Sequence, residues 1–306
     1  MTLRNMRIII DPLKLNKIIQ QAKCGGKTIG FVPTMGALHL GHLSLIKQAA
    51  KDNDSVVVSI FVNPTQFGKN EDFKKYPRPL KKDLELCRKS GVDLIFLPNE
   101  KNMYSQGFST FIEVGGLGKE LCGIWRPGHF RGGATVVAKL LNIVAPDILY
   151  LGQKDAQQAI VIKRMIDDLN FPVKLRIMPI VRQKDGLALS SRNVYLNQEQ
   201  INQASVLSKA LSLAKSLINN GQRDTARIIS RMKQLIHRKK QVKIDYIAVV
   251  DVDNLEPLKR ISGQYLIALA VRIGKTRLID NLKVDSRFRG NDKNNDVIPA
   301  EAGIQD

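Results

Sequence analysis

The run at residues 55–62, SVVVSIFV, constrains the fold more than any other stretch of the chain. It is continuous, apolar and rich in β-branched side chains, and Asn63-Pro64 stops it. A strand of this kind is covered on both faces, which places it inside a parallel sheet with helices on either side.

The neighbouring sequence repeats that logic. A short β-prone run at residues 27–32 ends at Pro33, and a glycine-bearing loop leads into helix-compatible sequence at 43–51. Residues 79–90 read as a helix with Gly91 as its stop, and 94–97 as a second buried strand before Pro98. After a glycine-rich excursion the pattern resumes: helix at 134–144, strand at 148–151, helix at 155–169, strand at 173–177. This alternation predicts an α/β domain over residues 1–184, a Rossmann-like doubly wound parallel sheet whose ligands bind beyond the carboxyl ends of the strands. Past Asp185 the texture changes to two polar-faced helices, at 198–218 and 224–238, and β-like runs at 243–252 and 265–273. A smaller C-terminal α+β domain over 185–282 is expected, followed at 283–306 by a mobile tail rich in Asp, Asn, Gly and Arg.

The formal net charge of +20 attracts polyanions, which brings nucleic acid, anionic lipid and phosphorylated substrates into view. Lys and Arg are spread along the chain instead of clustering on one helix, so a generally basic, solvated surface is the expectation. There is no aromatic-rich RNA-binding strand motif or zinc finger, and tryptophan occurs once, which argues against a nucleic-acid partner. No apolar run approaches the ~20 residues of a membrane helix, and residues 1–10 lack a signal-peptide core, so no membrane association and a cytoplasmic address are expected. Cys24, Cys87 and Cys122 are far apart and form no C-x-x-C pair, which argues against a disulfide framework or zinc ribbon.

Two segments carry phosphate chemistry. Between the first strand and the first helix lies Pro33-Thr34-Met35-Gly36-Ala37-Leu38-His39-Leu40-Gly41-His42, which contains H-x-G-H. Two imidazoles at a helix N-terminus, with its unpaired N–H groups and positive dipole end, make a compact donor set for a triphosphate, and Gly41 would let phosphate approach the backbone. Metal ligation is disfavoured, because only His129 and His237 remain and neither has a ligand partner at helical spacing. The second segment, Leu187-Ala188-Leu189-Ser190-Ser191-Arg192-Asn193, offers two hydroxyls and a guanidinium on a loop.

In this order, the two segments resemble the H-x-G-H and K-M-S-K-S pair of the nucleotidylyltransferase superfamily, which attacks the α-phosphate of ATP. Three further segments narrow the resemblance to the pantothenate synthetase (pantoate-beta-alanine ligase) family. They are Phe61-Val62-Asn63-Pro64-Thr65-Gln66-Phe67 with the later Tyr76-Pro77-Arg78, Arg126-Pro127-Gly128-His129-Phe130-Arg131-Gly132, and Gly152-Gln153-Lys154-Asp155-Ala156-Gln157-Gln158. The resemblance extends to Thr276-Arg277-Leu278-Ile279-Asp280, which looks like the family's closing strand.

That resemblance implies ATP-dependent joining of pantoate to β-alanine through a pantoyl adenylate, with AMP and pyrophosphate as products, in a homodimer whose smaller domain is a lid. It implies that Met35, Gly36, Ala37, Leu38, His39, Leu40, Gly41 and His42 cradle ATP, with His42 as proton donor beside His39. Gly152, Gln153, Lys154 and Asp155 would bind ATP, Lys154 at phosphate and Asp155 at the ribose hydroxyls. Val181, Leu189, Ser190, Ser191 and Arg192 would complete the nucleotide site, and His42, His39 and Lys154 would be its catalytic members. Gln66 and Gln158 would hold pantoate, with Gln66 close to where β-alanine arrives. Mg²⁺ would accompany the ATP phosphates, and Asp83 is the expected protein ligand, although Lys81 and Lys82 stand where the family tends to be acidic. Thr65, Gln153 and Gly133 also depart from the family's usual Met, Glu and Val. A nucleotidylyltransferase with a phosphorylated acceptor and a basic nucleic-acid-binding protein remain alternatives at this point.

Overall fold

The structure, a computed structural model, describes residues 6–69, 71–285 and 298–299. The chain divides into two compact units, and two short segments cross over in sequence: Lys119–Trp125 and Gln153–Ala156 belong with Pro179–Asp306, and the rest forms the first unit.

In the first unit, β1 (Arg7–Ile9), β2 (Ile29–Thr34), β3 (Ser55–Ile60), β4 (Leu94–Phe96), β5 (Ile148–Gly152) and β6 (Lys174–Met178) form one sheet, parallel throughout, in the order β1-β4-β3-β2-β5-β6. The doubly wound α/β expectation therefore holds. The helices are α1 (Pro12–Cys24), α2 (Leu40–Asp52), α3 (Leu80–Lys89), the short α4 (Glu100–Met103), α6 (His129–Val144) and α7 (Ala156–Asp168), while the single turn α5 (Cys122–Trp125) belongs to the second unit. Val56, Val57 and Val58 of β3 are fully buried, so each contributes about 1.5–3 kcal/mol relative to exposure. β2 runs through Pro33 to Thr34, because β5 pairs with it only at Gly30 and Phe31 and the missing Pro33 N–H interrupts little. The strand order reverses between β2 and β5, and the carboxyl ends of these two strands carry the H-x-G-H loop and Gly152.

The second unit holds β7 (Val181–Arg182), α8 (Gln198–Ala204), α9 (Val206–Asn219), α10 (Thr225–His237), β8 (Val242–Asp251), β9 (Gln264–Ile273), β10 (Thr276–Asp285) and β11 (Ile298–Pro299). β8, β9 and β10 make an antiparallel sheet in the order β10-β9-β8, and β11 pairs with β7. The core here joins Leu207, Leu211, Ile228 and Met232 of α9 and α10 to Ile267, Leu269 and Val271 of β9. The single helix expected at 198–218 is broken at Ser205. β10 continues through Asp285, so the first residues of the expected tail are strand, and the rest of that tail, apart from β11, lies outside the described residues. No helix among the described residues is long and apolar enough to cross a membrane.

Candidate active site

The site begins where β2 leaves the sheet. Thr34 Oγ1 donates to the Ser59 carbonyl at 2.8 Å and accepts from Gly36 N–H at 3.1 Å. Gly36 and Ala37 then take left-handed conformations, φ +79° and +50°. A Cβ on Gly36 would lie 3.0 Å from Asp83 Oδ2 and 3.1 Å from Ile60, so glycine is required twice over.

Asp83, on the first turn of α3, explains why the loop turns there. Its Oδ2 accepts from Ala37 N–H and its Oδ1 from Leu38 N–H, both at 2.8 Å, and the residue is 1% exposed. Burial pushes its carboxyl above the ordinary range, against the pull of the Leu38 and Ala37 amides and the Lys82 charge. This geometry gives Asp83 a different part from the Mg²⁺ ligand expected of it. The carboxylate is enclosed, both its oxygens are committed to backbone amides, and its work is to shape the loop. Among the described residues no group of three or more His, Cys, Asp or Glu is placed to hold a metal ion.

His39 caps α2. Its Nδ1 accepts from Gly41 N–H at 3.1 Å, and the His42 Nδ1 accepts from His39 N–H at 3.3 Å, a reciprocal pair that leaves the ring centroids 4.1 Å apart. A backbone N–H can only donate, so both Nδ1 atoms are acceptors and each neutral ring carries its proton on Nε2. The reading of Gly41 changes accordingly. A Cβ there would meet the His39 ring at 2.9 Å, so glycine makes room for the cap, and the Gly41 N–H is spent on His39 instead of remaining for phosphate. What this helix start offers an anion is a pair of Nε2–H donors in the positive field of the helix end.

Met35 and Gln66 meet: Gln66 Nε2 lies 3.1 Å from Met35 Sδ. Gln66 closes a single 3-10 turn, Pro64–Gln66, whose cap Asn63 is 1% exposed. Asn63 Nδ2 donates to Gln66 Oε1 at 3.1 Å and to the Gly132 carbonyl at 3.2 Å, while its Oδ1 accepts from Tyr104 OH at 2.7 Å and Thr65 Oγ1 at 3.0 Å. Asn63 was legible as the stop of a strand and as a member of a family segment, with no role attached, and Tyr104 gave no signal in sequence. Thr65, a departure from the family pattern, fits this cluster through its hydroxyl. Gln158, on the first turn of α7, is half-buried. At Gly133 a Cβ would meet nothing within 4 Å.

The second unit carries the other expected nucleotide residues. Gln153–Asp155 form a 3-10 turn held by Asn281 of β10, whose Nδ2 donates to the carbonyls of Gln153 (3.0 Å) and Lys154 (2.9 Å), while Gln153 Nε2 donates to Asn281 Oδ1 at 2.9 Å. An amide at 153 thus serves as both partner and anchor. Lys154 Nζ sits 3.7 Å from Asp155. Val181 is buried and its carbonyl accepts from Leu189 N–H at 3.0 Å, and Ser190 Oγ accepts from Arg192 N–H at 3.3 Å as the cap of the turn Ser191–Tyr195. Arg182, next to Val181, makes a two-pronged ion pair with the buried Asp280 at 2.6 and 2.8 Å. The closing strand therefore braces both segments through the adjacent Asp280 and Asn281, a role that its sequence did not reveal.

Comparison with known proteins identifies the family. Residues 7–283 match the family described as Pantoate-beta-alanine ligase. Pantothenate synthetase from Fervidobacterium nodosum is 51% identical over 280 residues, covering 92% of this chain and all of the relative. The crystal structure of pantothenate synthetase from Thermus thermophilus superposes with a TM-score of 0.86 at 42% identity, covering 90% of this chain and 99% of that one. A pantoate-beta-alanine ligase from Francisella tularensis, complexed with beta-gamma ATP and beta-alanine, gives 0.75 at 38% identity and covers 90% and 97%.

Proposed function

Since the chain belongs to the pantoate-beta-alanine ligase family, we propose how its own residues carry out the ATP-dependent condensation of pantoate with β-alanine. The observation that carries the reading is the histidine pair, whose Nδ1 atoms are both occupied by backbone N–H groups and whose proton therefore sits on Nε2. A pantoate carboxylate oxygen attacks the α-phosphorus of ATP, the bond to pyrophosphate breaks, and His42 and His39 Nε2–H groups donate to the oxygens that gain charge. Lys154 and Arg192 neutralise phosphate, and Ser190 and Ser191 donate hydroxyls. Met35, Gly36, Ala37, Leu38, Leu40, Gly41, Gly152, Gln153, Asp155, Val181 and Leu189 shape the nucleotide's surroundings. Mg²⁺ bound with ATP would add charge neutralisation to that of Lys154 and Arg192. The amine of β-alanine then attacks the acyl carbon of the adenylate, forming the amide and expelling AMP.

Gln66 and Gln158 orient pantoate, since an amide donates and accepts at fixed geometry without adding charge. Gln158→Ala should raise the KM for pantoate about tenfold, equivalent to ~1–3 kcal/mol of lost hydrogen bonding, and leave the KM for ATP nearly unchanged. Impaired ATP use with normal pantoate kinetics would reverse the assignment. The reaction itself is tested by incubating the chain with ATP, Mg²⁺, pantoate and β-alanine, omitting each in turn. AMP and pantothenate are expected only in the complete mixture, and ADP as product would rule out the adenylate route. A cytoplasmic homodimer completes the proposal, and sedimentation of the purified chain measures the dimer.

A further inference from the structure

The Gln66 side chain is wired to Asn63 and Met35, but its backbone has a separate support that the reaction does not call for. The Gln66 carbonyl accepts from His129 Nδ1 at 2.8 Å and from Arg126 Nη2 at 3.4 Å. Arg126 Nη1 also lies 2.9 Å from His129 Nε2. Guanidinium has donors only, so Nε2 must accept there and the ring proton must sit on Nδ1, where the Gln66 carbonyl needs it. This is the opposite tautomer from His39 and His42. Arg126 is itself clamped by Glu71, Nε to Oε1 at 2.8 Å and Nη2 to Oε2 at 2.5 Å, with side chains only 12% and 23% exposed. Glycine at 132 presses the first turn of α6 onto the same 3-10 turn, since a Cβ there would fall 2.2 Å from the Thr65 carbonyl.

We propose that His129 is a positioning residue for pantoate, fixed in its Nδ1–H form by the Glu71–Arg126 pair and in turn fixing the backbone from which the Gln66 amide projects. The proposal rests on the reading of Gln66 as a pantoate ligand. Each link sets the next: the carboxylate orients the guanidinium, the guanidinium selects the tautomer, and the tautomer holds the carbonyl. A lost outer hydrogen bond leaves Gln66 present but loosely placed, which weakens pantoate use without touching the nucleotide.

The test compares His129→Asn, whose amide N–H replaces the Nδ1–H donor, with His129→Gln, whose amide replaces the Nε2 side, and with His129→Leu. Steady-state KM values for pantoate and ATP are measured for each, with Gln66→Ala alongside. His129→Leu is expected to raise the pantoate KM about tenfold with the ATP KM within about twofold of the parent. Asn should restore pantoate KM to within about threefold of the parent and Gln should not. If the Leu variant fails to fold, as judged by its melting curve, the contrast between Asn and Gln decides alone. Equal pantoate KM values for Asn and Gln, or parallel rises in the two KM values, overturn the proposal while a raised pantoate KM in Gln66→Ala leaves the Gln66 reading standing. An unchanged pantoate KM in Gln66→Ala removes the premise and the proposal together.

Discussion

His42→Ala should slow formation of the adenylate by roughly two or more orders of magnitude while changing ATP affinity far less. The expectation follows from where the proton is. His42 Nδ1 is committed to the His39 N–H, so the ring presents Nε2–H in the positive field at the start of α2, and that donor strengthens as negative charge moves onto pyrophosphate. Alanine removes the donor and also uncaps the His39 N–H, which costs stability of about 1 kcal/mol, small beside the expected rate loss. His42→Gln separates the two effects, because its amide reaches the Nε2 position and should recover part of the rate. The second half-reaction is the control: pantoyl adenylate supplied from outside should still combine with β-alanine at close to the parent rate, since pyrophosphate has already left. Single-turnover measurements of both halves decide the matter. Equal slowing of the two, or none in either, would make His42 a structural cap only.

What was legible in the sequence tracks the range of the interaction that fixes it. β3 was readable because burial on both faces writes itself as an unbroken apolar run. The loop between β2 and α2 was found because two histidines and a glycine stand at close spacing where a helix begins after a buried strand. α1 escaped notice even though its signal is local: Asp11 caps it by accepting from Lys14 N–H at 2.7 Å, and Pro12 occupies its first turn. The residues that organise the site were hidden for a different reason. Asp83 reaches back 45 and 46 positions to Leu38 and Ala37, and Tyr104 reaches 41 to Asn63. No periodicity or spacing records such contacts, so the metal role expected of Asp83 came from the family resemblance alone, and the brace was not readable from its place in the sequence. The same holds for Asn281, which meets Gln153 and Lys154 across 128 and 127 positions.

Asp83→Ala brings that distinction to a measurement. The substitution removes the acceptors of two buried backbone donors, Ala37 N–H and Leu38 N–H, and neither amide gains a replacement partner from alanine. Hydrogen bonds to a charged group contribute ~1.5–3 kcal/mol each, and a buried donor left unsatisfied costs its desolvation as well, while loss of the buried carboxylate relieves its own burial, so a net stability loss of about 2 kcal/mol is expected. Ala37 is held at φ +50°, a strained conformation for a residue with a Cβ, and without its anchor it should relax out of the left-handed region. His39 follows it in the chain, so the cap of α2 and both Nε2–H donors lose their placement, and adenylate formation should fall by roughly two orders of magnitude even in molecules that remain folded. A metal ligand and a loop brace predict different rescues. Loss of a Mg²⁺ ligand is offset by raising Mg²⁺, which fills a weakened site by mass action, whereas loss of a brace is indifferent to the ion once ATP is saturated with it. Titrating Mg²⁺ from equimolar with ATP to a large excess should therefore leave the Asp83→Ala rate flat and its melting temperature low. A rate that climbs back toward the parent with Mg²⁺, at an unchanged melting temperature, would return Asp83 to the metal.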